Sequence, residues 1–338
     1  MGRILSYIIR RVGLLIPQLL VVTLLSFSLV HLLPGDPATL ILGIAATVPG
    51  AREAMRARLG LDQPLPVQYG KYLQHLLQGD WGSSFFTQQP VLKDLATRLP
   101  STLELITVSL AIAVLLGLAV GMLAARRPTG ILNRFLTWYG FLAGAIPDFW
   151  MGLLLIFIGY SVWHLLPAPI GQLSLSVTAP PARTHLLPLD SVLAGDGTAL
   201  KSSLAHLILP VLTLVLVYTA PLLKITSVSV TNMQHSPFIV AARAHGMKQR
   251  IINWYILRNV LPPIITTIGV IYAFLLGGAV LVETVFSWNG FGQFIVQSIL
   301  RKDFFPVQGF VLVAAAFTMF VYAVVDILYA VVDPRVRL

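Results

Sequence analysis

The sequence has no cysteine and few charged residues. Of its 338 residues, 11% are charged and 57% are hydrophobic, whereas an average soluble domain has about 25% charged and roughly 45–50% apolar residues. This composition excludes a soluble globular protein. The absence of cysteine excludes disulfides, thiolate catalysis and cysteine-ligated metals, although it does not assign a compartment. Acids are also scarce, with 13 Asp and Glu against 23 Lys and Arg, a formal net charge of +10.

Motifs that would let the chain act as an enzyme are missing as well. No Gly-x-x-x-x-Gly-Lys-Ser/Thr sequence is present, so the chain has no P-loop with which to bind ATP. The 7 histidines do not form the His-Glu-x-x-His pattern of a metalloprotease. No motif supports an intramembrane serine hydrolase. We therefore expect a membrane protein that is not an enzyme and that holds no metal or cofactor of its own.

Uncharged apolar runs predict an all-α, polytopic membrane protein with about six transmembrane helices. A helix needs about 20 apolar residues to cross the hydrocarbon core, with its backbone polar groups bonded internally. The first run, Val12 to Leu33, is too long for a cleaved signal peptide, so residues 1–33 are predicted to hold a retained first span. Further spans are predicted at residues 105–125, 135–163, 204–223, 264–286 and 306–332.

The third of these runs, residues 135–163, is interrupted by Ile146-Pro147-Asp148. Proline in a helix interior kinks or breaks the helix. Two separate spans would also fit this pattern, but we favour one kinked span, because the segment after it carries few bases, as expected of an outward loop.

Basic residues set the predicted orientation. Arg10 and Arg11 precede the first span, Arg126 and Arg127 follow the second, and the other inward segments carry more bases with Asp333 as their one acid. Bases and acids nearly balance in the outward segments. Because Lys and Arg are retained on the cytoplasmic side, both termini are predicted to be cytoplasmic.

This orientation places soluble segments on both sides of the membrane. Residues 34–99 form an extracytoplasmic loop, with short helices predicted at 51–59, ending at Gly60, and at 69–77, ending at Gly79. The main cytoplasmic segment is residues 224–262, inside a membrane core of residues 100–338. The role of a second outward loop, residues 164–203, is left open.

Acids within the predicted spans are candidate functional groups, because a charge there is costly. Glu283, Asp148 and Asp326 are candidate pathway or gating residues. Each also has a structural interpretation: an interhelical hydrogen bond, a bond to backbone freed by the proline kink, or pairing near the inner face, respectively. Glu104, which begins the second span, is interpreted as favouring a helix N-terminus through the helix dipole.

The cytoplasmic segment contains the most informative pattern. Residues 238–246 read Phe-Ile-Val-Ala-Ala-Arg-Ala-His-Gly, which predicts a short helix with small side chains that is stopped by glycine and followed by a basic second helix. Small side chains on a cytoplasmic helix suit close docking into a groove of another protein. Periodicity alone leaves a second interpretation open, an amphipathic helix lying on the membrane surface.

This segment resembles the coupling motif of ATP-binding-cassette importer permeases, which reads Glu-Ala-Ala, three residues, Gly, and a distal Leu-Pro. The matching residues are Ala241, Ala242, Gly246, Leu261 and Pro262. Val240 stands where the motif has Glu, and the spacing from glycine to proline is longer than the consensus; both departures are similar to the dipeptide/oligopeptide branch. Further stretches resemble that branch: Leu33-Pro-Gly-Asp-Pro37, Pro100-Ser-Thr-Leu-Glu-Leu105, Glu283-Thr-Val-Phe-Ser-Trp288 and Asp326-Ile-Leu-Tyr329.

The resemblance implies a B-type permease subunit with a type I (MetI-like) fold, which forms half of a heterodimeric translocation pathway in the bacterial inner membrane. The expected partners are a second homologous permease, one or two P-loop ATPases, a periplasmic or lipid-anchored solute-binding protein and membrane lipid, but no nucleic acid. Residues 240–246 would dock an ATPase. The candidate coupling residues are Ala241, Ala242, Arg243, Gly246 and Lys248.

Di- and oligopeptides are the cargo that the resemblance favours. Nickel complexes, glutathione and oligosaccharides travel through similar permeases and remain alternatives, and an ion-coupled secondary carrier is an alternative from another class. The resemblance is poor over residues 164–203 and at Asp148, where the family more often has an apolar residue.

Overall fold

The computed structural model describes residues 2–32, 36–42, 47–126 and 129–332, and these residues are largely helical with no β-sheet. Arg127, Asp333 and two further bases of the inward C-terminal segment, Arg335 and Arg337, lie outside the described residues. The helices are α1 (Gly2–Leu32), α2 (Pro37–Leu42), α3 (Ala51–Leu59), α4 (Leu65–Leu77), α5 (Val91–Arg126), α6 (Ile131–Ala145), α7 (Asp148–Ile156), continued by a π-helical turn (Phe157–Val162), α8 (Leu187–Ala194), α9 (Gly197–Gln234), α10 (Pro237–Ala244), α11 (Gln249–Val285), α12 (Phe291–Leu300) and α13 (Phe304–Val332).

Helices suited to a bilayer occur where the apolar runs predict them. Within the described ranges, α5, α9, α11 and α13 are each long and apolar enough to cross a membrane, and α6 with α7 passes the same test as one bent span. α1 adds a shorter apolar helix, Gly13–Ser28, at the predicted first span. The prediction of an all-α polytopic membrane protein is confirmed, and the described residues hold four helices of spanning length, or five with the bent pair, against the predicted number of about six.

The third predicted span differs in shape from the kinked helix expected for residues 135–163. α6 ends at Ala145, α7 begins at Asp148, and the two half-helices are bent by 104°. Ile146 between them is extended, with φ −95° and ψ 123°, as residues before a proline prefer to be. The break therefore occurs at the predicted residues but is much sharper than a kink.

α9 and α11 extend beyond their predicted spans. α9 continues to Gln234 and α11 already begins at Gln249, so residues 235–248 are all that separates them in the predicted cytoplasmic segment 224–262. Hydropathy marks the part of a helix that lies in hydrocarbon, whereas the polar residues that continue the same helix carry no apolar signal. The predicted cytoplasmic segment therefore consists of the ends of two long helices and a short connection between them.

The chain divides into two compact units, of which the first comprises Met1–Ile8, Pro100–Gln293 and Thr318–Leu338. Its central helix is α9, which contacts α6, α7, α8, α10 and α11. α5 also approaches α9 closely: a β-carbon at Gly117 would lie 2.7 Å from Cβ of Leu222. Glycine on one helix lets two helix backbones pack at short range in a membrane.

Gly121, one turn further along α5, provides a test of this packing. A β-carbon there would lie 2.8 Å from Cβ of Thr226 and 3.0 Å from the carbonyl oxygen of Leu223. We expect Gly121→Ala to lower the free energy of unfolding by about 1–3 kcal/mol through overpacking, measured as thermal stability in detergent. Gly277→Ala is the matched control, because no atom of the described part of the chain lies within 4 Å of a β-carbon at that position. Equal melting temperatures for the two variants would contradict the close approach.

Residues 164–203, predicted as an outward loop, belong to the first unit and are organised by a buried carboxylate. Asp190 accepts hydrogen bonds from the backbone N–H groups of Arg183, Thr184 and His185, at 3.2, 2.8 and 3.1 Å. Burial opposes ionisation, but these bonds and the Thr184 hydroxyl together lower the pKa of Asp190. The loop therefore has a fixed conformation around an ionised acid.

The second unit comprises Ile9–Leu99 and Phe294–Phe317. α3 begins and ends at the predicted residues, and Gly60 after it is left-handed with φ 67°. α4 ends at Leu77 as predicted but begins at Leu65 rather than Tyr69, because Pro66 is well suited to the first turn of a helix.

Asp303 holds part of the segment 34–99, predicted as an outward loop, in place within this second unit. Its buried carboxylate accepts hydrogen bonds from the Ser84 hydroxyl, at 2.6 Å, and from the N–H of Phe86, at 3.3 Å. Burial raises the pKa of Asp303, and these hydrogen bonds oppose the rise. The guanidinium of Arg301 lies 3.2 Å from the centre of the Phe86 ring. Residues 84–86 are thus fastened to the connection between α12 and α13.

Candidate functional site

α10 is the short helix that the sequence predicts between the fourth and fifth spans. It begins at Pro237, a residue that needs no donor in the first turn, and ends at Ala244. Gly246 then adopts φ 70° in the left-handed region, and the N–H of Met247 bonds to the carbonyl oxygen of Ala242 at 3.2 Å. Glycine adopts this conformation without the penalty that a β-carbon brings. The predicted glycine stop is confirmed, and it turns the chain into α11.

One face of α10 is built into the protein's own core. Ile239 is fully buried and Ala242 is nearly so. They belong to a cluster contributed by α5, α9, α10 and α11, whose buried members are Ala125, Val230, Ile239, Ala242, Ile252, Ile256, Val260 and Ile264. Ala242, predicted as a coupling residue, therefore anchors α10 to the core and does not face solvent.

The other sides of α10, and the turn that follows it, are open. Ala241, Arg243, Gly246 and Lys248 are all exposed. Phe238 and Val240 are large apolar side chains that are 52% and 54% exposed beside them. We call this set, residues 238, 240, 241, 243, 246 and 248, the outer face of α10. Grouped exposed apolar side chains with polar neighbours are typical of a protein–protein contact surface.

A cavity of about 870 Å³ lies in the first unit, between α6, α7 and α9. The broken α6–α7 pair contributes Gly144, Pro147 and Asp148, and α9 contributes Tyr218 and Lys224. Small and apolar residues make up much of the remaining lining. The sharp break between α6 and α7 is what opens this space beside α9.

Asp148, a predicted pathway residue, lines this cavity. Its Oδ2 accepts a hydrogen bond of 2.7 Å from the hydroxyl of Tyr218, while Asp148 itself is half-buried. Tyr218 was missed by the sequence reasoning, because the two residues are 70 positions apart and no local pattern relates them.

Glu283 lies elsewhere in the first unit and is fully buried. Its Oε1 accepts a hydrogen bond from the Thr102 hydroxyl, and its Oε2 accepts one of 2.9 Å from the N–H of Gln293. Thr102 Oγ1 in turn accepts a bond of 2.8 Å from the N–H of Phe291. These N–H groups belong to the first turn of α12, so Glu283 and Thr102 together cap that helix.

The glycines that follow Glu283 make room for this arrangement. A β-carbon at Gly290 would lie 2.6 Å from both Oε2 of Glu283 and Oγ1 of Thr102. A β-carbon at Gly292 would lie 2.8 Å from Cα of Val280. Any other residue at either position would displace the capping groups or the α11 backbone.

The other two intramembrane acids occupy different settings. Asp326 is half-buried on α13. The prediction that Glu104 favours a helix N-terminus is wrong, because α5 begins at Val91 and has Asp94 in its first turn. α5 includes a polar stretch before the apolar run and continues past Pro100. The helix therefore starts well before the predicted span.

Comparison with known proteins assigns the chain to a family. Residues 117–338 match the family described as "Binding-protein-dependent transport system inner membrane component", and residues 4–106 match the N-terminal region of such components. The chain belongs to the binding-protein-dependent transport permeases. The family predicted from the coupling motif is thereby confirmed, as is a multi-pass protein of the inner membrane.

Relatives of this permease match it from end to end. It is 34% identical over 336 residues to the dipeptide transport system permease protein DppB of Escherichia coli K12, covering 98% of this chain and 99% of that protein. It is 35% identical over 334 residues to the di/tripeptide transport system permease protein DppB of Pseudomonas aeruginosa, with the same coverage of 98% and 99%. It is also 35% identical over 337 residues to the glutathione transport system permease protein GsiC of Salmonella paratyphi A, again covering 98% and 99%. Each of these relatives is named as the permease protein of a transport system.

Proposed function

We propose that this permease subunit imports di- and oligopeptides and that ATPase subunits drive it by docking on the outer face of α10. The observation that carries the coupling role is the division of α10 into two faces. Ile239 and Ala242 anchor it to the chain's own core, while Ala241, Arg243 and Gly246 remain open to a partner. A helix lying on the membrane surface would bury its apolar side chains in lipid, whereas here two of them are already buried in protein.

The buried cluster provides a physical route from α10 to the cavity. Ile239 and Ala242 pack with Val230 of α9 and Ile252 of α11. A displacement of α10 would therefore carry the cytoplasmic ends of both long helices with it. Because α9 also lines the cavity, movement of an ATPase would be converted into a change of cavity shape, as rigid-body rocking between two states requires.

We further propose that the cavity is this chain's share of a pathway completed by a second permease. In this arrangement both termini and α10 are cytoplasmic, and residues 34–99 and 164–203 face the solute-binding protein. Of the predicted pathway acids, Asp148 is assigned to the pathway because it lines the cavity, and Asp326 keeps its prediction as a gating residue. Glu283 is assigned to helix capping instead.

The cargo assignment is supported by the relatives named for dipeptides and tripeptides. Glutathione is the second candidate, because a relative named for glutathione is equally similar over the same length. Glutathione is itself a peptide-like solute, so both candidates share the importer class.

Reconstituted transport separates these possibilities. The complete importer would be placed in liposomes with its binding protein outside and ATP on the ATPase side, and labelled dialanine and glutathione would be supplied in turn. We expect ATP-dependent accumulation of dialanine, competed by unlabelled dipeptides. Accumulation of glutathione alone would contradict the peptide assignment, and uptake driven by an ion gradient without ATP would contradict the importer mechanism.

A further inference from the structure

The lining of the cavity between α6, α7 and α9 has one residue of each charge. Among the described residues that line it, Asp148 is the acid and Lys224 is the base. The remainder are neutral, and many are small, such as Gly140, Gly144 and Ala220. A cavity with one positive group, one negative group and an otherwise neutral lining suits a cargo that has charged ends and variable side chains between them.

We infer that Asp148 and Lys224 recognise the two ends of a zwitterionic peptide in transit, with Asp148 binding the ammonium group and Lys224 binding the carboxylate. This inference rests on the proposed peptide cargo and adds to it the groups that contact that cargo. A volume of about 870 Å³ is within the range of about 300–1,000 Å³ that small-molecule sites occupy.

Asp148 has the geometry for the ammonium end. It is the first residue of α7, at the positive end of that helix's dipole. The Tyr218 hydroxyl donates to Oδ2, but a carboxylate offers about four acceptor positions, so capacity remains for a cargo N–H group. An acid at membrane depth that faces a cavity marks substrate pathways more often than it serves packing.

Tyr218 is a positioning residue in this arrangement. It is buried on α9, and its hydroxyl fixes the carboxylate of Asp148 beside the α6–α7 break. The bond also joins α7 to α9 and so holds the Asp148 carboxylate at a fixed position in the cavity. Removing the hydroxyl leaves the charge of Asp148 in place, which provides a way to separate positioning from recognition.

Lys224 has the geometry for the carboxylate end. It is exposed on α9 and lies six residues beyond Tyr218, which is about 9 Å along a helix axis. An extended peptide of two or three residues spans about 7–10 Å. The flexible lysine side chain can adjust to either length. The ammonium group of a dipeptide or a tripeptide could therefore reach Asp148 while its carboxylate reaches Lys224.

Uptake by the reconstituted importer tests the inference, with dialanine as the cargo and saturating binding protein. We expect Asp148→Asn to reduce the maximal uptake rate about tenfold, the effect of one lost charge contact. The half-saturating dialanine concentration should not change, because the binding protein sets it. Lys224→Gln should behave in the same way, whereas Asp148→Glu and Lys224→Arg should recover most of the rate. Complex assembly and melting temperature are measured for every variant.

Tyr218→Phe distinguishes recognition from a structural role. If Asp148 recognises cargo, Tyr218→Phe should lower uptake by no more than about threefold, well short of the loss expected for Asp148→Asn. Equal uptake losses accompanied by equal falls in melting temperature would overturn the inference, because Asp148 would then serve only the bond to α9. Unchanged uptake by Asp148→Asn, with wild-type protein accumulating dialanine, would overturn the inference alone. No dialanine uptake by the wild-type complex would overturn the proposed cargo as well.

Discussion

Replacing Gly246 with tryptophan should leave the chain inserted and assembled with its partner permease but should lower ATP-driven uptake at least about tenfold. Gly246 is exposed, and among the residues that the structure describes nothing lies within 4 Å of a β-carbon built there. The new side chain would therefore project from the outer face of α10 into the space a docked ATPase needs. The left-handed φ of 70° adds about 1–2 kcal/mol of backbone strain. That strain is small enough for α10 to stay folded, because Ile239 and Ala242 anchor it in the buried cluster.

Gly246→Asn is the matched control for this experiment. Asparagine tolerates the left-handed conformation better than other residues with a side chain, and it adds little bulk. We expect it to keep most of the uptake rate, as measured beside Gly246→Trp in the same membranes. Wild-type uptake by an assembled tryptophan variant would contradict docking on this face. Equal losses in the two variants would attribute the effect to backbone strain instead.

Removing the carboxylate of Glu283 should destabilise the protein more than any other single change considered. Glu283→Ala leaves the Thr102 hydroxyl and the N–H of Gln293 without their acceptor and opens a cavity. Together these effects should lower the free energy of unfolding by about 3–5 kcal/mol. The expected results are a low level of protein in the membrane and a reduced melting temperature in detergent.

Thr284→Ala is the matched control, because the neighbouring Thr284 hydroxyl bonds only to the carbonyl oxygen of Val280 in its own helix, at 2.8 Å, among the described contacts. It should change stability by less than about 1 kcal/mol. A Glu283→Ala protein that accumulates and melts like wild type but does not transport would contradict the capping role. It would restore Glu283 as a pathway residue.

Features that depend on neighbours along the chain were predictable from the sequence. The apolar runs locate the spans, the Ile146-Pro147 pair locates the break, and Gly60 and Gly246 mark helix ends. Each follows from local rules of hydropathy and backbone conformation. The start of α5 was not predictable in this way, because polar residues before the apolar run continue the helix from Val91.

The chemistry within the membrane depends on partners that are distant in sequence. Glu283 and Thr102 are 181 positions apart, and Asp148 and Tyr218 are 70 apart. No local pattern pairs these residues, so the sequence alone does not decide the roles of the two acids. The packing of the helices decides them. The two faces of α10 did carry a signal, since Ile239 and Ala242 stand three residues apart on one helical face. Ala242 could have been assigned to the core on that spacing alone.

Docking of ATPases on α10 is best tested by affinity purification of the tagged chain from its native membrane in mild detergent, followed by mass spectrometry. We expect a second permease and one or two P-loop ATPases to be recovered with the wild-type chain. We also expect the ATPases, but not the second permease, to be depleted from the Gly246→Trp preparation. Recovery of the chain alone, still able to transport after reconstitution, would contradict the account of α10 as the surface through which ATPases drive this permease.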